Sequence, residues 1–147
     1  VGVLMFYFIC KGRFYRLVNP KEYEKKEQDV IDIAWTYEAY WSLAWALGFV
    51  DNIEDASNIC DTNLAISFIS KSKDFNDFKN KCKLRNIEEI LDMVDLYYRY
   101  DWAITDNRLN NTTSIGNLNG EVVVERRRGL EWLISNEKDW FEISLDT

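Results

Sequence analysis

Residues 29–47 read DVIDIAWTYEAYWSLAWAL, and Gly48 follows them. A helix with this sequence carries aromatic and aliphatic side chains on nearly every side, and a helix that is apolar all round belongs in a protein core. Asp29 is a suitable N-cap residue, and Gly48 suits the left-handed position that follows a helix C-terminus. We therefore predict a central, buried, aromatic-rich helix over residues 29–47.

The composition favours a single globular domain. The chain has 147 residues, of which 47% are hydrophobic, with six Gly and one Pro. This length supports one hydrophobic core, and the composition argues against disorder, linkers and turn-rich β folds. We predict an all-α fold, a single compact domain of five or six helices over residues 1–147. The chain begins inside an apolar segment, which is compatible with a natural N-terminus further upstream.

Capping signals and apolar periodicity predict the other elements. Residues 3–14 are apolar without strict alternation, and we favour a helix over a buried strand there. Asn19-Pro20 is typical of a helix start. Further helices are predicted over residues 61–70, 86–109 and 121–135. The basic residues 71–85 and the polar residues 110–120 are predicted to be connections.

The helix predicted over residues 86–109 opens with a capping box, in which Asn86 and Glu89 satisfy each other's backbone amides. Its predicted apolar stripe consists of Ile87, Leu91, Val94, Tyr98, Trp102 and Leu109. Asp95 and Arg99 are four residues apart, a spacing that allows an ion pair on a helix. Over residues 61–70, the side chains predicted to face inward are Leu64, Phe68 and Ile69.

Three consecutive arginines lie in the last predicted helix, at positions 126 to 128. Consecutive helical residues point about 100° apart, so these arginines do not form one basic patch. The apolar face of this helix consists of Val122, Val123, Leu130, Leu133 and Ile134, and Arg126 lies within that face. Gly129 costs helix stability but permits the close approach of another helix.

Six charged residues of the main helices are candidates for a ligand-binding site. They are Glu38, Arg99, Asp106, Arg108, Glu125 and Arg126, with Trp35, Trp45 and Trp102 as an aromatic lining. In one hypothesis the arginines bind an anionic phosphate or carboxylate ligand, and a desolvated carboxylate acts as a general base. In the other, which we favour, the residues form an internal ion-pair network that fixes the register of three helices. The third alternative is a set of exposed, unrelated charges.

Residue counts exclude several kinds of chemistry. The chain contains no histidine, which rules out His-dependent catalysis and His-ligated metal sites. Cys10, Cys60 and Cys82 are far apart and form no CxxC pair, so we expect neither a zinc site nor a disulfide framework. We predict no metal, no cofactor and no catalytic residue, and a reducing, cytoplasmic location.

The charge and hydropathy of the chain exclude two classes of partner. The formal net charge is −7, which argues against a general nucleic-acid-binding protein. The longest apolar run covers residues 3–10, far short of the roughly 20 residues that a membrane span requires. We therefore expect neither nucleic-acid nor membrane binding.

Four sequence blocks in this order are shared with a known family. They are WTYEAYWSLAWALG (35–48), NIEEILDMVDLYYRYDWAITDNRLN (86–110), VVVERRRGLEWLI (122–134) and WFEISLDT (140–147). The chain resembles the bacterial family called domain of unknown function 4272. The resemblance implies a mainly helical, single-domain cytosolic protein, without an established activity. Members usually carry His where this chain has Asp101, and often where it has Arg127, so neither position supplies an imidazole here.

Two classes of function follow from these patterns. We favour a non-catalytic interaction protein, an accessory or immunity-type protein whose acidic surface suits a protein partner with a basic surface. The alternative is an enzyme or sensor that binds a small anionic ligand through the Arg/carboxylate/Trp cluster. An enzyme is the weaker interpretation, because the sequence contains neither histidine nor a phosphate-binding loop. The patterns do not predict an oligomeric state.

Overall fold

The computed structural model describes residues 27–135 and 140–146, and within these ranges it contains five α-helices and no β-strand. The elements are α1 (Glu27–Ala46), α2 (Thr62–Ser70), α3 (Phe75–Lys81), α4 (Ile87–Asn110), α5 (Gly120–Ile134) and a 3₁₀ turn (Trp140–Glu142). The predicted all-α class is confirmed. The elements predicted over residues 3–14 and at Asn19-Pro20 lie outside the described residues. None of the described helices combines the length and the apolar content needed to cross a lipid bilayer.

The helix α1 lies at the centre of the fold, as predicted. It packs most extensively against α5 and also contacts α2, and most of its residues from position 38 onward are buried. Gly48 has a φ of +82°, which confirms its predicted left-handed conformation. Asp29 lies inside α1, so its prediction as the N-cap is wrong.

Gly129 allows α5 to approach α1 closely. A Cβ atom on this glycine would lie 2.6 Å from the carbonyl oxygen of Ala39 and would also collide with Ser42 Oγ. Real Cβ atoms do not approach other atoms this closely, so a larger side chain would force the two helices apart. The predicted close approach at Gly129 is confirmed.

The helix α4 packs against α5, but its buried face differs from the predicted one. The capping box is present, with the Glu89 N–H donating to Asn86 Oδ1 at 2.8 Å. The buried side chains are Ile90, Met93, Tyr97 and Asp101. The predicted stripe is instead largely exposed: its exposed members are Ile87, Leu91, Tyr98, Trp102 and Leu109. Each buried residue precedes a residue of the predicted stripe by one position, so the predicted face is displaced by about 100° around the helix.

The two short helices between α1 and α4 differ from the prediction. Residues 71–85, predicted as a connection, contain α3, which Asp74 caps by accepting the Asp77 N–H and which Phe78 anchors in the core. In α2, Ala65 is the buried residue, whereas Leu64, predicted to face inward, is exposed. The small Ala65 side chain allows α2 to lie close to Tyr40 of α1, whose hydroxyl donates to the Ala65 carbonyl oxygen at 2.8 Å.

Candidate functional site

Glu38 on α1 and Arg126 on α5 form a buried ion pair. Arg126 Nε donates to Glu38 Oε2 at 2.9 Å. The Glu38 side chain is 3% exposed, and the Arg126 side chain is 4% exposed. The burial of Arg126, predicted from its place on an apolar face, is confirmed. Because an unpaired buried charge is strongly unfavourable, each of these side chains depends on the other.

The same pair holds the segment between α1 and α2. Arg126 Nη1 and Nη2 donate to backbone carbonyl oxygens at 2.8 to 3.4 Å, those of Ile53, Asp55 and Asn58. The second Glu38 oxygen, Oε1, accepts the Cys60 N–H at 2.6 Å. Each nitrogen of the Arg126 guanidinium therefore has an acceptor within the protein. We refer to Glu38, Arg126 and these backbone partners as the buried hub.

Tyr97 of α4 joins the buried hub. Its hydroxyl donates to the Ile53 carbonyl oxygen at 2.5 Å and accepts from Arg126 Nη1 at 3.3 Å. Burial raises the pKa of Tyr97 to about 12, and burial together with the Glu38 charge also raises the pKa of the Cys60 thiol. Both groups therefore stay protonated at neutral pH, where neither can act as a nucleophile or a general base.

A second buried ion pair joins Arg127 on α5 to Asp101 on α4. Arg127 Nη1 donates to Asp101 Oδ2, and both residues are buried. The Arg127 guanidinium lies 4.9 Å from the ring centroid of Tyr98. Nη1 also donates to the carbonyl oxygen of Leu145 at 3.2 Å, Nη2 donates to that of Asp146 at 3.0 Å, and Nε donates to Glu131 Oε1 at 3.4 Å. Arg127 therefore holds residues 145 and 146 against α4 and α5.

The sequence predicted neither the burial of Asp101 nor its contact with Arg127. Asp101 follows Ile90 and Tyr97 on the buried face of α4. Because the sequence analysis predicted a different face of α4 to be buried, Asp101 was not among the predicted buried residues. Once the buried face of α4 is known, the carboxylate of Asp101 on that face predicts a buried cation as its partner. Asp101 and Arg127 thus lie against each other, and their opposite charges compensate.

The other predicted site residues do not join the buried hub. Arg99 pairs with Asp95 on the exposed surface of α4, with Nε 2.7 Å from Oδ2, as predicted. Asp106 closes the loop after α4 by accepting from Asn110, Thr112 and Thr113, and these hydrogen bonds lower its pKa. Arg108 is exposed. Glu125 lies 3.6 Å from Arg128 on the same helix. Of the six candidates, the structure brings only Glu38 and Arg126 together.

Comparison with known proteins identifies the family. The family model described as Domain of unknown function (DUF4272) matches residues 13–143. The chain belongs to this family. No curated protein and no solved structure matches the chain. Among the described residues of this DUF4272 protein, no cluster of Cys, Asp and Glu side chains could hold a metal ion.

The three tryptophans predicted as an aromatic lining lie in different environments. Trp45 is buried, and the Arg85 guanidinium lies 4.8 Å from its ring centroid. Trp35 is partly buried against the same core, whereas Trp102 is 50% exposed on α4. The Arg85 side chain also donates to the Trp45 carbonyl oxygen at 2.9 Å and so satisfies a backbone acceptor at the C-terminus of α1.

The exposed face of α4 is the second candidate site in this DUF4272 protein. Five large apolar side chains lie along it, the last of them Leu109 near the end of the helix. We call the first four the α4 stripe: Ile87, Leu91, Tyr98 and Trp102. Large apolar side chains scattered singly over a surface are common, but a row of them marks an interaction surface more often. Tyrosine and tryptophan are also the residues that contribute most strongly to protein–protein binding.

Carboxylates border the α4 stripe. Glu88, Asp92 and Asp95 are exposed, and at about 100° per residue they lie on one side of the stripe. We call these three residues the acidic border. An apolar centre with a charged rim is the usual arrangement of a protein-binding surface.

Proposed function

We propose that this protein is a non-catalytic interaction protein that binds a partner with a basic surface through the α4 stripe and its acidic border. The observation that carries the proposal is the exposure of four large apolar side chains in one row on α4. The acidic border and the net charge of −7 support a basic partner, because opposite charge accelerates association and selects against acidic competitors. An accessory or immunity-type role in a bacterial cytosol fits this activity.

The buried hub supports a structural role for the predicted Arg/carboxylate cluster. A guanidinium binds a phosphate or carboxylate through free N–H donors. The Arg126 nitrogens instead donate to Glu38, to the Tyr97 hydroxyl and to backbone carbonyl oxygens. The described contacts therefore favour the interaction protein over an enzyme or sensor for a small anion.

A cytoplasmic location is part of the proposal. Within the part of the chain that the structure describes, Cys60 and Cys82 are free thiols, which supports a reducing compartment.

Site-specific photo-crosslinking tests the proposed function. A photoreactive amino acid replaces Trp102, and a second chain carries it at the exposed Asn80 of α3 as a control for nonspecific capture. A protein captured only at position 102 is then purified, and its affinity is measured by calorimetry. Leu91→Asp is expected to weaken this binding at least about tenfold, the scale of an interface hot spot.

Leu64→Asp is the matched control for Leu91→Asp. Leu64 is 44% exposed on α2 and Leu91 is 47% exposed on α4, so the two substitutions remove similar apolar surface at different places. The Leu64 variant is expected to bind as the parent does. Equal loss of affinity in both variants, or no loss in either, would contradict the proposed site.

A further inference from the structure

The two halves of α4 differ strongly in charge. Between Ile87 and Asp95 the helix has four carboxylates and no basic residue; the carboxylates belong to Glu88, Glu89, Asp92 and Asp95. Beyond Asp95, Arg99 and Arg108 are the exposed cations of the helix. The carboxylate of Asp106 in this second half accepts hydrogen bonds from the loop that follows α4. The first half of α4 is therefore strongly acidic, whereas the second half has no net charge, because Asp101 and Asp106 balance Arg99 and Arg108.

The α4 stripe has the dimensions of a single helix. At 1.5 Å per residue it extends for about 22 Å from Ile87 to Trp102, and its four side chains lie within about 60° of one another. A narrow apolar row of this kind fits a helix whose own apolar residues recur every three or four positions. Because the acidic border lies on one side of the row, the partner needs basic residues on only one of its edges.

We infer, building on the proposed function, that the partner presents one amphipathic helix that lies antiparallel to α4 and carries Lys and Arg in its C-terminal half. In this orientation the C-terminal half of the partner helix faces the acidic first half of α4. Basic residues near a helix C-terminus also interact favourably with the dipole of their own helix, and antiparallel helix dipoles attract each other. In a parallel complex the same basic residues would face Arg99, which lies on the same side of the α4 stripe as the acidic border.

A second copy of this chain fits the α4 stripe less well. An antiparallel copy would offer Arg99 and Arg108 to four carboxylates and would bring Asp106 to the same end. Two chains with a net charge of −7 each also repel one another. A basic partner helix compensates the acidic half of α4 more completely.

Two synthetic peptides of identical composition test the orientation. Both have 18 residues with Leu at helical spacing; the first carries Glu in its N-terminal half and Lys in its C-terminal half, and the second has the reverse order. Calorimetry with the full chain is expected to give about tenfold tighter binding of the first peptide, equivalent to roughly 1.4 kcal/mol. The peptides differ in intrinsic helicity, so a change in the protein must serve as the control.

A charge-swapped protein supplies that control. It carries Glu88→Lys, Asp92→Lys and Asp95→Lys together with Arg99→Glu and Arg108→Glu, and it retains Glu89 for the capping box. Its fold is verified by circular dichroism. The preference between the two peptides is expected to invert in this variant, and peptide helicity alone cannot produce that inversion.

The outcomes separate the two proposals. If both proteins prefer the same peptide and Leu91→Asp abolishes binding, the antiparallel orientation is wrong and the α4 stripe is still a docking surface. If Leu91→Asp leaves both affinities unchanged, the orientation and the docking surface are both wrong. Sedimentation that shows a dimer of the parent chain, lost in Leu91→Asp, would identify a second copy as the occupant and overturn the inference.

Discussion

The Glu38–Arg126 and Asp95–Arg99 pairs have the same chemistry and similar N–O distances, 2.9 and 2.7 Å, but opposite environments. The side chains of the first pair are almost completely buried, and those of the second are 72% exposed for Arg99 and 59% for Asp95. Water and salt screen the exposed pair, while the buried pair has only protein groups to replace its hydration. Burial, rather than distance, therefore decides what each pair contributes.

The comparison also separates two roles of charge in this protein. The buried hub connects α1, α5 and the segment between α1 and α2, so its carboxylate and guanidinium act on the fold. The carboxylates of the acidic border lie on the surface of α4 and are available to a partner. Substitutions should therefore change stability at the hub and binding at the α4 stripe.

The largest effect is expected from Arg126→Ala. This substitution leaves the buried Glu38 carboxylate without its cation and should destabilise the fold by about 3–5 kcal/mol. Urea unfolding followed by circular dichroism measures the loss. The control is Glu38→Leu combined with Arg126→Met, which removes both charges and should recover part of the lost stability. A loss below about 1 kcal/mol for Arg126→Ala is typical of exposed ion pairs and would contradict the structural role of the buried pair.

An intermediate effect is expected from the ionisation of Tyr97. Its folded-state pKa of about 12 lies above the ordinary value of 10, so the folded state retains the proton that the unfolded state loses. The contribution is fully present below pH 10, declines as the pH rises towards 12, and amounts to about 2–3 kcal/mol. The stability difference between the parent and Tyr97→Phe should therefore change across this window. A constant difference from pH 9 to pH 12 would contradict the assignment.

The smallest effect is expected from Arg99→Ala. Exposed pairs four residues apart on a helix contribute about 0.3–0.5 kcal/mol, and added salt weakens them. Thermal unfolding at low and high ionic strength should show a small loss of stability that disappears in salt. A loss above about 2 kcal/mol, independent of salt, would remove the distinction between the two pairs.

Local signals in the sequence predicted much of the helical framework. The apolar residues of α1, the left-handed Gly48, the capping box at Asn86 and the close approach at Gly129 are all confirmed. Each depends on a few neighbouring residues with one preferred conformation. The helix α3 was missed because it has seven residues and a single fully buried side chain, Phe78, which gives too little periodicity to detect.

The buried face of α4 could not be predicted from hydrophobicity alone. The exposed row includes Leu91 and Trp102, whereas the buried row ends with the charged Asp101. By apolar content the exposed row is the better core face. The buried row instead places Tyr97 against the buried hub and Asp101 against Arg127. A helix whose more apolar row faces solvent is a local conflict of the kind expected at functional sites.

The candidate site was predictable only in part for a related reason. The sequence predicts that Glu38 and Arg126 both lie on core-facing sides of their helices. Because both predictions are right, the pairing of these residues, 88 positions apart, follows from them. Arg99 and Asp106 belong to the predicted candidate site because they repeat at helical spacing along α4. That spacing places side chains on one face but does not tell whether the face is turned inward.

The segment between α1 and α2 depends on residues that the ribosome adds much later. Residues 47–61 contain no helix or strand, yet their carbonyl groups bind Arg85 at positions 50 and 51 and Arg126 at positions 53, 55 and 58. During translation the segment emerges before either arginine and lacks these donors. The contacts with Arg126 can therefore form only after α5 has been synthesised, when most of the chain has been made.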